Sequence, residues 1–130
     1  MIMTTDKYKL RNPTKQNLIS LGYRYYRTTD DNCSLYIYRF PVYKYKKYTT
    51  IECEVVTELN TGYTNINIYE KKNMSAYPPF YSVELRKQYG KDFLNSIENR
   101  IVKEFAKLNI IEENNNGWHE YDNYRWVWEM

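Results

Sequence analysis

At 130 residues, with 42% hydrophobic and 18% aromatic residues and 16 tyrosines, the chain is not a disordered segment, and its composition favours strands. A domain of this length removes roughly two-thirds of its unfolded surface from water, so a core without disulfide staples is within reach. No run approaches the roughly 18 apolar residues that span a bilayer and residues 1–13 lack an apolar signal core, which speaks against insertion and secretion and points to the cytoplasm.

The net charge of +3 is unevenly spread, with +7 in residues 1–50, zero in 51–111 and −4 in 112–130. Residues 1–11 read as a polar lead-in. Asn12 then serves as an N-cap and Pro13 as the first helical residue, Leu18 and Leu21 share a face, and Gly22 ends a short helix over about 13–21. Tyr23 to Thr28 reads as a first strand, closed by the turn residues Thr29-Asp30-Asp31-Asn32.

Leu35 to Tyr69 alternates apolar and polar residues in strand fashion. A turn centred on Lys46-Lys47 pairs Phe40 with Cys53, Val42 with Ile51 and Tyr38 with Val55, which gathers the apolar residues on one face. The opposite face takes Leu35, Ile37 and Arg39 against Glu58, Val56 and Glu54, with Arg39 and Glu54 as a cross-strand pair. A second turn at Asn60-Thr61-Gly62 sets Val55 against Ile68 and Thr57 against Ile66, and leaves Asn65 and Asn67 on the wet side. Cys33 and Cys53 fall far apart and read as small apolar residues rather than a bridge.

Lys71 to Lys91 reads as irregular, with residues 74–81 an extended aromatic loop around Pro78-Pro79. Asp92 caps the strongest helix, whose apolar stripe is Phe93, Leu94, Ile97, Ile101, Phe105 and Leu108. Arg100 and Glu104 stand i,i+4 on its other side, and Asn109 closes it. The expected fold is α+β: a four-stranded antiparallel meander with a long C-terminal and a short N-terminal helix on one face, as a single domain over 1–111. Residues 112–130 form an acidic aromatic extension in which Tyr124 to Trp128 has strand character.

Glu52, Glu54 and Glu58 share a strand face, a pattern that binds divalent cations or does acid–base work when other groups complete it. Arg39 lies opposite and no Lys, His or Asp completes a site, so they read as a solvated face. His119 is the only histidine, and two cysteines with one histidine fall short of four zinc ligands. No catalytic residue, metal or cofactor is assigned.

Tyr43, Lys44, Tyr45, Lys46, Lys47 and Tyr48 interleave rings and positive charge at a hairpin tip, the combination that stacks bases and neutralises phosphates on single strands or RNA. Trp118, Tyr121, Tyr124, Arg125, Trp126 and Trp128 gather the residue types that most often anchor protein interfaces. The same residues serve equally well as a strand folding back over a sheet edge.

The segments Tyr38 to Tyr45, Thr49 to Val55 and Tyr77-Pro78-Pro79-Phe80-Tyr81, with Asn17 to Tyr23 and Phe105 to Ile110, resemble small proteins carried by phages and prophages of low-GC Gram-positive bacteria. The likeness covers about residues 12–111, and the tail from Glu112 departs from it. It implies a non-enzymatic inhibitor or adaptor of host machinery, anti-CRISPR factors among them, acting in the host cytoplasm on a host protein or ribonucleoprotein complex. The positive balance disfavours an acidic DNA mimic. Direct binding of single-stranded nucleic acid or RNA through the hairpin tip is the alternative.

Overall fold

A computed structural model describes the backbone of residues 2–46, 49–72 and 82–121, and the side chains of 3–42, 51–69 and 92–119. Its strands are β1 (Ile2–Leu10), β2 (Arg24–Thr28), β3 (Ser34–Lys46), β4 (Thr49–Glu58), β5 (Tyr63–Lys72), β6 (Ile110–Glu112) and β7 (His119–Tyr121). Two helices, α1 (Lys15–Leu21) and α2 (Ser82–Glu104), complete an α+β fold. The sheet is antiparallel throughout, in the order β2-β3-β4-β5-β1-β6, with β7 also paired to β1.

The largest correction to the sequence reading is β1. Residues 2–10 are not a lead-in but an inner strand, bonded to β5 on one side and to β6 and β7 on the other, so the sheet is wider than a four-stranded meander. A bulge between Thr5 and Tyr8 interrupts its alternation. The chain wraps this irregularity: Glu113 N–H donates to the Lys7 carbonyl (2.7 Å), and the Asn114 and Asn116 side chains donate to Asp6 (3.3 and 3.1 Å).

Helix α1 is shorter than expected and capped differently. Thr14, not Asn12, accepts from the Asn17 N–H (3.1 Å), while Asn12 has φ 47°. Gly22 closes the helix at φ 122°, and any side chain there would press on the Tyr38 ring. The second helix begins at Ser82 and runs 23 residues, so Asp92 is interior to it, and Lys71 and Lys72 belong to β5. Residues 73–81, expected as an aromatic loop, lie outside the described residues.

The first hairpin pairs Leu35–Glu58, Ile37–Val56, Tyr38–Val55, Arg39–Glu54 and Phe40–Cys53. Beyond Pro41 two bulges shift the register, so Ile51 stands opposite Tyr43 and not Val42. In the second hairpin Val55 pairs with Ile66, Thr57 with Thr64 and Cys53 with Ile68, two residues from the expected register. A slip of two keeps every side chain on its own face, so the same residues reach the core. Gly62, at φ 83°, makes the turn; a Cβ there would collide with the Leu10 carbonyl oxygen, whose own N–H donates to Gly62 (2.8 Å).

One buried cluster joins Tyr8 and Leu10 of β1, Leu18 of α1, the inner residues of β3, β4 and β5, and Ile97, Ile101, Phe105 and Leu108. Phe105 packs between the rings of Tyr23 and Tyr38 (5.7 Å each), and the Arg100 guanidinium lies 4.1 Å over Phe40. Burial pushes the Tyr23 phenol well up, and its hydroxyl enters a buried chain through Thr57 and Thr64 to the Gly62 carbonyl (2.9, 2.9 and 3.0 Å). Both cysteines are free, Cys53 buried and Cys33 partly exposed.

Candidate functional site

The second face of the sheet is not the solvated surface that alternation suggested. Ile37, Glu54, Val56, Asn67 and Tyr69 are all buried there, although they face away from the main cluster. Asn67, expected on the wet side, is 3% exposed and Glu54 is fully buried.

Register explains how these polar groups meet. Arg39, Glu54, Asn67, Thr4 and His119 are successive pairing partners across β3, β4, β5, β1 and β7, forming one transverse row. Arg39 Nε donates to Glu54 Oε2 (3.2 Å), Asn67 Nδ2 donates to Glu54 Oε1 (3.3 Å), and the Thr4 hydroxyl donates to Asn67 Oδ1 (2.5 Å). Burial raises the Glu54 carboxyl to about 7 against the opposing pull of Arg39. A carboxyl poised near neutrality is a common acid–base device, but both Glu54 oxygens are occupied and solvent does not reach them. In the neighbouring row Glu52 accepts from the Tyr69 hydroxyl (3.1 Å). His119, at the exposed end of the row, pairs through its backbone with Thr4.

A second convergence lies on the helix side. Glu98 of α2 accepts from the Tyr8 hydroxyl (2.6 Å) and Lys7 Nζ (3.4 Å) through Oε2, and from Trp118 Nε1 (2.6 Å) through Oε1. Lys7 also reaches Glu112 (3.6 Å), and burial with the Glu98 contact pushes the Tyr8 phenol up. Trp118, named as a partner anchor, is thus half-buried against the core and holds the start of the tail to α2, next to β7. Tyr121 is the last residue of β7, paired with Ile2. Tyr124, Arg125, Trp126 and Trp128 lie outside the described residues.

The hairpin-tip residues Tyr43, Lys44, Tyr45 and Lys46 close β3, while Lys47 and Tyr48 lie outside the described residues. Pairing of β4 with β5 adds two residues that the sequence reading missed. Lys44, Thr50 and Lys71 stand abreast in one row, and Lys46, Thr49 and Lys72 in the next. The signal was available: β4 begins at Thr49, so the second hairpin's register carries β5 to Lys72.

Among the described residues no cluster of three or more His, Cys, Asp or Glu could hold a metal ion, and no helix is long and apolar enough to cross a membrane. A scan against family models and searches of curated proteins and of solved structures find no match to this chain.

Proposed function

We propose that this chain is a non-enzymatic binding module of the phage accessory type, acting stoichiometrically on a host protein as an inhibitor or adaptor of a nucleic-acid-targeting defence complex. The observation that carries the reading is the fixing of the tail's root by Trp118, Glu98 and β7. Tyr124, Arg125, Trp126 and Trp128 follow that root in sequence. Anchor residues that start from a fixed point forfeit less freedom on binding than the same residues on a free linker.

The test is affinity capture from host lysate with and without nuclease, comparing the natural chain with a Trp126→Ala/Trp128→Ala variant. A protein held in equimolar amount, resistant to nuclease and lost from the variant, is the expected result. Capture that nuclease abolishes, or that the variant retains in full, overturns the reading.

A second reading, binding of single-stranded nucleic acid or RNA through Tyr43, Lys44, Tyr45, Lys46, Lys47 and Tyr48, is favoured by a separate observation. Strands β3 and β4 run on to Lys46 and from Thr49, beyond the reach of β2 and β1, so that Tyr43 to Lys46 stand at the far end of the sheet.

A further inference from the structure

Where β1 ends and β6 begins, the end of α2 leaves an open cleft of about 540 Å³. That volume lies within the range of small-molecule sites, roughly 300–1,000 Å³. Three connections fix its walls. Leu10 pairs with Ile110 and Lys9 with Ile111, the Arg11 N–H donates to the Asn109 carbonyl (3.2 Å), and the single turn Ala106–Leu108 carries the chain from α2 into β6. Asn12 and Asn109 both stand in the left-handed region (φ 47° and 58°), which asparagine tolerates better than most side chains.

The lining divides by chemistry. Val102 and Ala106, one helical turn apart, join Ile110 and Ile111 in an apolar wall. Val102 is 38% exposed and the two isoleucines are half-buried, so this wall is not closed over by the core. Arg11, Asn12 and Asn109 supply the polar groups. Among the described residues none of these three side chains has a hydrogen-bond or ion-pair partner. An arginine beside the end of a helix ordinarily answers the negative pole of the helix dipole. That role would set the guanidinium on the terminal carbonyls, and here only the backbone N–H of Arg11 is engaged.

We infer that this cleft binds a small organic carboxylate with an apolar body. The guanidinium fork matches the two oxygens of a carboxylate, and the Asn12 and Asn109 carboxamides add donors for the same head group. Val102, Ala106, Ile110 and Ile111 take the body out of water. The cleft shares no residue with the root of the tail or with the hairpin tip, so it stands apart from both readings above.

The test is titration of the isotope-labelled full chain with phenylbutyrate, followed by amide NMR shifts up to about 20 mM ligand. A fragment of this size in an open cleft should bind with a dissociation constant of order 1 mM. The shifts should gather at Asn12, Val102 and Asn109 to Ile111. Phenylbutylamine, the same body with the opposite charge, should bind at least roughly tenfold more weakly. Arg11→Gln should weaken phenylbutyrate binding roughly tenfold and Val102→Ser roughly threefold, whereas Arg24→Gln, which removes equal charge from β2, should bind as the natural chain does. No shifts at the highest concentration, shifts gathered elsewhere, equal binding of the amine, unchanged affinity in Arg11→Gln, or equal loss in Arg24→Gln overturns the site. All three substituted positions are exposed, and amide spectra that match the natural chain away from the substitution establish that each variant folds.

Discussion

Placing a carboxyl where no solvent reaches it penalises the charged form, and at Glu54 one ion pair and one amide hydrogen bond only partly offset that penalty. The folded-state value of about 7 lies above the ordinary 4.5, so the folded chain binds a proton more tightly than the unfolded one. The sign follows by linkage: stability falls as pH rises from about 4.5 through about 7, and levels off above. The difference amounts to roughly 3 kcal/mol across that window. Glu54→Gln removes the titrating group, so its unfolding free energy, measured by urea denaturation from pH 5 to pH 8, should lose most of this slope whatever its absolute stability. Parallel slopes for the two proteins would show that Glu54 titrates in the fold as it does in the unfolded chain. The Arg39–Glu54 pairing was legible in the sequence because alternation and a single turn decide it. Its burial was not, because alternation says which face a residue takes and nothing about whether that face is covered.

At the scale of elements, Glu98 joins three pieces of chain distant in sequence: β1 through Lys7 and Tyr8, α2 on which it sits, and the approach to β7 through Trp118. Hydrogen bonds to an ionised acceptor contribute about 1.5–3 kcal/mol, more than neutral ones. Trp118→Phe retains most of the apolar contact and loses only the N–H donor, so it should cost about 1–2 kcal/mol. Glu98→Ala should cost more, since it leaves the Tyr8 hydroxyl and the Trp118 N–H without their acceptor. The double variant should show a coupling of about 1 kcal/mol in chemical denaturation, and additive effects would mean that the indole bond holds nothing. Other elements explain where sequence pattern reaches its limit. In α2 the apolar stripe from Phe93 onward announces a helix, whereas Ser82 to Lys91 carries few apolar residues and a glycine, so its first turns depend on continuation from the strongly patterned half. The second hairpin shows the opposite outcome: its register lay two residues from the expected one, yet the face assignment survived because pleat parity is unchanged by an even shift.

At the scale of the whole molecule, the sheet depends on β1, the strand that the sequence hid. Met3 and Thr5 pair on one side of its bulge, and Tyr8 and Leu10 on the other. The bulge changes the parity between them, so the residues turned to the core, partly buried Met3 and buried Thr5 before it and buried Tyr8 and Leu10 after it, switch from odd to even positions, and no period of two appears across residues 2–10. The inner position of the strand also explains why residues 110–112 and 119–121 belong to the sheet, since β6 and β7 share the edge of β1 that β5 does not use. This makes Leu10 a decisive probe. A polar lead-in would tolerate Leu10→Ala within about 0.5 kcal/mol, as exposed positions do. A leucine with no exposed surface, set in the core cluster on a strand flanked on both sides, should cost about 2–5 kcal/mol on truncation. The urea midpoint should therefore fall, with little change in the denaturant slope because the surface exposed on unfolding is nearly the same. A midpoint that stays in place would detach residues 2–10 from the cooperative unit and return the sheet to the four strands from β2 to β5.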